Sequence, residues 1–190
     1  MAVLQKILQF FGPLGAAAAA GSSQAAARQE ELECVVPAPL TDYEIRPLTA
    51  KQLDEICRLN RRCFKKGENY NRHTLSYLLS EPHTLSYRMT TPAGEMTAFI
   101  FVTTAADGTG HITTVGVAPE HRRRGLAQQL LTHAEAALRR RRISLVRLEV
   151  RVSNVAAQSL YRQLGYAVVQ RLDGYYNNGE DGFLMVKSLV

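Results

Sequence analysis

The sequence predicts a mixed α+β (α/β) fold with a βαβα core and a closing antiparallel hairpin. Three observations carry this. From Tyr43 onward, short β-branched and aromatic runs alternate with segments whose apolar residues recur every three or four positions. Leu126, Leu130, Ala134 and Leu138 repeat at intervals of four, which sets a long helix between two strand-like runs. Asn177-Asn178-Gly179 supplies turn chemistry in the final hairpin.

The elements follow in order. Residues 43–47 read as a short strand, and Leu53, Ile56, Leu59 and Cys63 mark one face of a helix over 50–64. A polar loop containing Gly67-Glu68-Asn69-Tyr70 leads into a short helix around 75–79. Strands over 83–90 and 96–103 flank a Thr91-Pro92-Ala93-Gly94 turn and make a hairpin. Residues 111–117 form a β-branched strand that ends at Pro119, and the long helix spans 124–141. A strand over 145–150 and a helix capped by Ser153 or Asn154 and closed by Gly165 precede the final hairpin. No internal repeat interrupts this order.

A chain of 190 residues holds one domain's worth of sequence. With 46% hydrophobic and 21% charged residues it is neither collagenous, wholly disordered nor a disulfide scaffold. Residues 1–40 form an Ala-rich extension: Val3, Leu4, Ile7, Leu8 and Phe11 mark a short amphipathic helix that Gly12-Pro13 stops, and a linker follows. Residues 41–190 form the functional domain. Residues 1–29 carry Lys6 and Arg28 and no acid, yet the arginine content is thin for an organelle transit peptide, so cytoplasmic location is expected. Cys34, Cys57 and Cys63 form no CxxC pair and are odd in number, which fits a reducing compartment and argues against a zinc site. No run of about 18 apolar residues marks a membrane span. The net charge of +6 is local, since without the seven arginines at 122–124 and 139–142 the chain would carry −1. Such a patch suits a polyanion, whether nucleic acid, a membrane surface or a phosphate-bearing cofactor.

Two segments carry chemistry. Val115, Gly116 and Val117 end a strand, and Arg122-Arg123-Arg124-Gly125-Leu126-Ala127-Gln128 opens the long helix. Free amides at a helix start, with Gly125 and three arginines, suit a pyrophosphate; a solvated helix start is the plainer alternative. The loop is neither a P-loop nor a GxGxxG turn. In the second segment, Glu149 lies on a strand between Leu148 and Val150, followed by Asn154 and by Tyr161 on a short helix. A carboxylate with little water around it is a better proton acceptor than a surface Glu. The plainer readings are a pair between Glu149 and Arg147 or Arg151, which a strand puts on the same face, and a core aromatic at Tyr161.

Together these segments resemble the GNAT acyltransferases, which use acetyl-CoA. Arg122 to Ala127 matches the family's [RQ]-x-x-G-x-[GA] loop, with Ala127 in place of the commoner second glycine. Within that superfamily the chain is similar to protein N-terminal acetyltransferases, archaeal and eukaryotic, and next to bacterial ribosomal-protein alanine acetyltransferases. The resembling stretches, in order, are Glu68-Asn69-Tyr70, residues 110–113, 122–127, 148–154, 160–166 and 175–181. They cover roughly residues 42–190. Gly67 stands where related enzymes usually have proline, and that loop touches the acceptor in the family, so acceptor choice transfers least.

The resemblance implies a GNAT fold, a central mixed, mostly antiparallel sheet flanked by helices. It implies direct attack of an α-amine on acetyl-CoA in a ternary complex, with no metal. An α-amine has a reference pKa near 8 against about 10.4 for Lys, so it needs only modest base help. Glu149 is the implied base and His111 a second base or relay, since the reference pKa of imidazole, about 6.5, suits the task, with an exposed strand start as its plainer role. Backbone amides of Val115, Gly116 and Val117 would hold the pantetheine arm and polarise the thioester carbonyl. Tyr161 would protonate the leaving thiolate, and Asn154 would contact the cofactor or simply cap its helix. Glu68, Tyr70, Tyr175 and Tyr176 resemble the family's gate around an acceptor peptide.

Two rivals stay open: acetylation of lysine side chains or small amines, and a nucleic-acid or ribosome-surface binder working through its arginines. The two arginine clusters could also seat an enzyme of nascent or ribosomal proteins near ribosomal RNA.

Overall fold

The run from Met96 to Thr104 is buried on both of its faces except at its last residue, and it organises a sheet with helices on either side. The computed structural model describes residues 35–64 and 69–190, so the helix expected near residues 3–11 lies outside the described residues, as does Glu68. Among the described residues seven strands form one sheet: β1 (Glu44–Pro47), β2 (Thr84–Thr90), β3 (Met96–Thr104), β4 (Thr109–Val117), β5 (Leu145–Arg151), β6 (Ala167–Leu172) and β7 (Gly182–Ser188). Their spatial order is β1-β2-β3-β4-β5-β7-β6. Every pairing is antiparallel except β4 with β5, which is parallel and needs a crossover. The helices are α1 (Leu53–Cys63), α2 (Arg72–Ser80), α3 (Leu126–Arg140), which makes that crossover, and α4 (Val155–Gln163). This is the mixed, mostly antiparallel sheet flanked by helices that the resemblance implied.

Alternation along β3 builds two cores. Phe99 and Phe101 pack with Ile56 and Leu59 of α1 and Leu75 and Leu78 of α2. Ala98, Ile100 and Val102 pack with Leu130, Leu131 and Leu138 of α3, and Val146, Leu148 and Val150 of β5 join that second core. Glu149 and Arg147 therefore leave β5 on the α1–α2 side.

Helix limits differ from the expected ones for local reasons. The first turn expected of α1 is a 3-10 turn, Ala50–Gln52, in which the Thr49 amide donates to the Gln52 side chain at 3.1 Å. Helix α3 starts at Leu126 rather than 124, because Arg123 and Gly125 hold φ of 63° and 75° and a right-handed helix cannot contain them. The helix closes when Arg142, at φ 60°, takes the left-handed position usually given to glycine. The expected turn at 177–179 exists, with the Gly179 amide donating to Tyr176 O at 2.7 Å, but it sits inside a longer connection between β6 and β7.

Candidate functional site

The ladder between β4 and β5 stops early. Its register runs Thr109 to Leu145, Gly110 to Val146 and His111 to Arg147, and no further. At that point β4 carries a bulge, since Phe101 pairs with Thr114 and Val102 with Ile112, leaving Thr113 over. A bulge bends its strand. From Thr114 to Val117, β4 remains bonded to β3 while its other edge faces the opening left by β5.

His111 and Glu149 meet at the apex of this opening. His111 Nε2 donates to Glu149 Oε2 at 2.6 Å, with the two side chains 14% and 10% exposed. Arg151, one of the two partners expected for Glu149, is bonded to Glu180 at 2.7 Å and to Asn178. A neutral imidazole that donates through Nε2 keeps Nδ1 as an acceptor, so the pair offers both a ring nitrogen and a carboxylate to an incoming proton.

Three tyrosines wall the pair. The Tyr70 hydroxyl donates to Thr113 O at 3.4 Å, and burial, then the charge of Glu149, raise its pKa. Burial, with Glu149 and Tyr70 adding and Arg147 opposing, pushes Tyr175 up to about 12. Tyr176 stands edge-on to Tyr175 at 5.1 Å and under the Arg151 guanidinium at 3.8 Å. Burial raises its pKa well above the ordinary value, with smaller effects from Tyr175, Arg151, Glu149 and Tyr161. Tyr161, from α4, is buried with its ring 5.9 Å from that of Tyr166, and burial holds its phenol protonated up to about 12. Glu149, His111, Tyr70, Tyr175 and Tyr176 thus converge on one opening, while Tyr161 belongs to the core on the α3 side.

The loop from Arg122 to Gln128 lies at the far end of β4. Its helix start has no side-chain cap, and no atom outside the loop lies within 4 Å of where a Gly125 Cβ would sit. Uncapped amides beside open space suit a phosphate. Leu126 belongs to the core, Ala127 is half-buried, and Arg123 and Gln128 are exposed. Arg122 is bonded to Val117 O and Cys63 O, while Arg124 binds Tyr43 Oη, Pro39 O and Ala38 O. Two of the three arginines expected at the phosphate therefore brace the fold. Gly116 is forced by packing, because a Cβ there would come within 2.6 Å of the Phe99 ring. Asn154 caps α4, accepting from the Ala157 amide at 3.1 Å.

Sequence reasoning missed several participants. Asn60, fully buried on α1, donates to Tyr70 O at 2.8 Å and so fixes the loop that carries Tyr70. Its signal was an amide on an otherwise apolar stripe. Glu180 and Asp181 brace the tyrosine loop, through the Ser153 amide at 3.0 Å and the Gly174 amide at 2.8 Å. Among the described residues Glu95, Glu120 and His121 bring ligand atoms within 4.8 Å of one another, but Glu120 is paired with Arg62 and His121 Nδ1 accepts from Tyr43.

The description of an acetyltransferase (GNAT) family matches residues 53–166. An N-alpha-acetyltransferase of Sulfurisphaera tokodaii is 31% identical over 161 residues, 78% of this chain and 94% of that protein. One of Saccharolobus solfataricus is 40% identical over 81 residues, and the matched stretch spans 48% of its length. The solved ribosomal-protein-S18-alanine N-acetyltransferase of Escherichia coli superposes with a TM-score of 0.72 at 26% identity, covering 78% of this chain and 94% of that one.

Proposed function

Because the chain belongs to the GNAT family of acetyltransferases, we propose that it transfers the acetyl group of acetyl-CoA to the N-terminal α-amine of proteins or peptides, by direct attack in a ternary complex. The observation that carries this is the His111–Glu149 pair at the opening of the sheet, walled by Tyr70, Tyr175 and Tyr176. Aromatic walls enclose an extended peptide terminus, and the pair takes the proton its ammonium must lose.

Acetyl-CoA, as cosubstrate, supplies the activated acyl thioester. The uncapped start of α3, with Gly125, Leu126, Ala127 and Gln128, would hold its phosphates, and the open edge of β4 at Val115, Gly116 and Val117 its pantetheine arm. Tyr161, whose phenol burial keeps protonated up to about 12, would give a proton to the leaving sulfur. Attack of a neutral amine on a thioester calls for no Lewis acid, so the proposal is metal-independent. Cytoplasmic work fits the free thiols of Cys57 and Cys63. The exposed Arg140, Arg141 and Arg142 support contact with a polyanionic surface such as the ribosome, where nascent chains present their first residues.

The test is a radiolabelled acetyl-transfer assay on peptides differing in their first two residues, each with a free or blocked N terminus and an internal lysine. The free forms are expected to react and the blocked forms to stay near background. Equal rates would move the activity to lysine or general amines.

A further inference from the structure

Arg147 stands level with His111 in the β4–β5 ladder, so both side chains leave the sheet on one face, and Glu149 follows two residues on. The Arg147 side chain is half-buried, its Nε is buried with no acceptor, and among the described residues it makes no hydrogen bond or ion pair. The carboxylates that flank it are hydrogen-bonded to other donors: Glu149 accepts from His111, and Asp107, which feels the Arg147 charge, accepts from the Thr109 amide. A partly desolvated cation with an orphan donor is costly unless a ligand supplies the anion.

Position decides which anion. The phosphate loop begins beyond Val117, six residues along β4 from His111, or about 20 Å at roughly 3.3 Å per residue. Arg147 instead leaves the sheet level with His111, on the face that carries Glu149, and the Tyr175 phenol feels its charge. A carboxylate hydrogen-bonded to the orphan Nε of Arg147 can therefore come with the acceptor.

We propose that Arg147 is a specificity residue that binds a carboxylate side chain within the first two residues of the acceptor, so that the enzyme favours peptide termini with an acidic residue at position one or two. The inference rests on the α-amine reading given above. A planar guanidinium pairs with a carboxylate through two parallel N–H donors, and an amide of the same shape cannot replace that charge.

Peptides carrying Asp or Asn at position one, and at position two, are otherwise identical probes. The wild-type protein is expected to favour Asp over Asn in kcat/KM at one of these positions by about 10- to 100-fold, mostly through KM. Arg147→Gln should bring that ratio close to one, and Arg147→Lys should restore part of it. A generally impaired fold would lower both rates and leave the ratio alone, which separates loss of recognition from structural damage. A wild-type ratio at or below one at both positions overturns the proposal, as does a ratio that Arg147→Gln leaves intact. Absence of transfer to every free α-amine would instead overturn the α-amine reading itself.

Discussion

His111 and Glu149 are two candidate proton acceptors joined by one 2.6 Å hydrogen bond, so removing one leaves the other in place. Glu149→Gln keeps the shape and removes the charge, and kcat is expected to fall about 100- to 10,000-fold with little change in acetyl-CoA affinity. Stopped assays and calorimetry on the single variant and on His111→Ala with Glu149→Gln check this. Full activity in the double variant would refute both assignments, whereas loss confined to the double would mean that either residue can receive the proton. The candidate residues were legible one by one, but their contact was not. They lie 38 positions apart, and only the parallel register beside the bulge at Thr113 brings them together. The arginine run illustrates the converse: three adjacent identical residues read as one anion site, yet backbone geometry turns Arg122 and Arg124 onto carbonyls of the protein itself.

At the level of elements, α3, β7 and the end of α4 are tied by a buried carboxylate. Glu135, 3% exposed, accepts from Tyr166 Oη at 2.9 Å and from Lys187 Nζ at 2.5 Å. Tyr166 in turn packs edge-on against Tyr161. Burial, then Glu135, drive the Tyr166 phenol far above its ordinary range. Removing one member of such a group strands the others, so Glu135→Ala is expected to cost about 3 to 5 kcal/mol. Urea unfolding measures it, and Glu135→Leu with Lys187→Met should recover much of the loss because apolar replacements leave no buried charge. Helices and strands were readable because their periods are written in apolar residues, as in Leu126, Leu130, Ala134 and Leu138. The point at which β4 leaves β5 was not, because Thr113 looks like any strand residue and a bulge depends on the partner strand. Asn60 was hidden for a related reason: its partner is a backbone carbonyl, which has no sequence signature.

For the whole molecule, acid is the condition that discriminates. Hydrogen bonds from Ser153 and Arg151 hold the Glu180 carboxyl down to about 2, from an ordinary 4.5. Asp181, bonded by the Gly174 amide and Arg171, and Asp54, bonded by Arg72, are also lowered. A depressed carboxyl lends stability that is complete above its unfolded value and disappears as pH falls through its folded value. Stability is therefore expected to decline between about pH 4.5 and 2, and Glu180→Gln should flatten that decline in urea midpoints measured across the range. The strand order has another consequence. β7, the last strand in sequence, lies between β5 and β6, and among the described residues β6 has no other neighbour. During synthesis, residues 167–172 therefore have nothing to pair with until residues 182–188 have been made. A chain cut after residue 181 would lose two strands rather than one and would leave β5, which bears Glu149, as a bare sheet margin open to pairing with other chains.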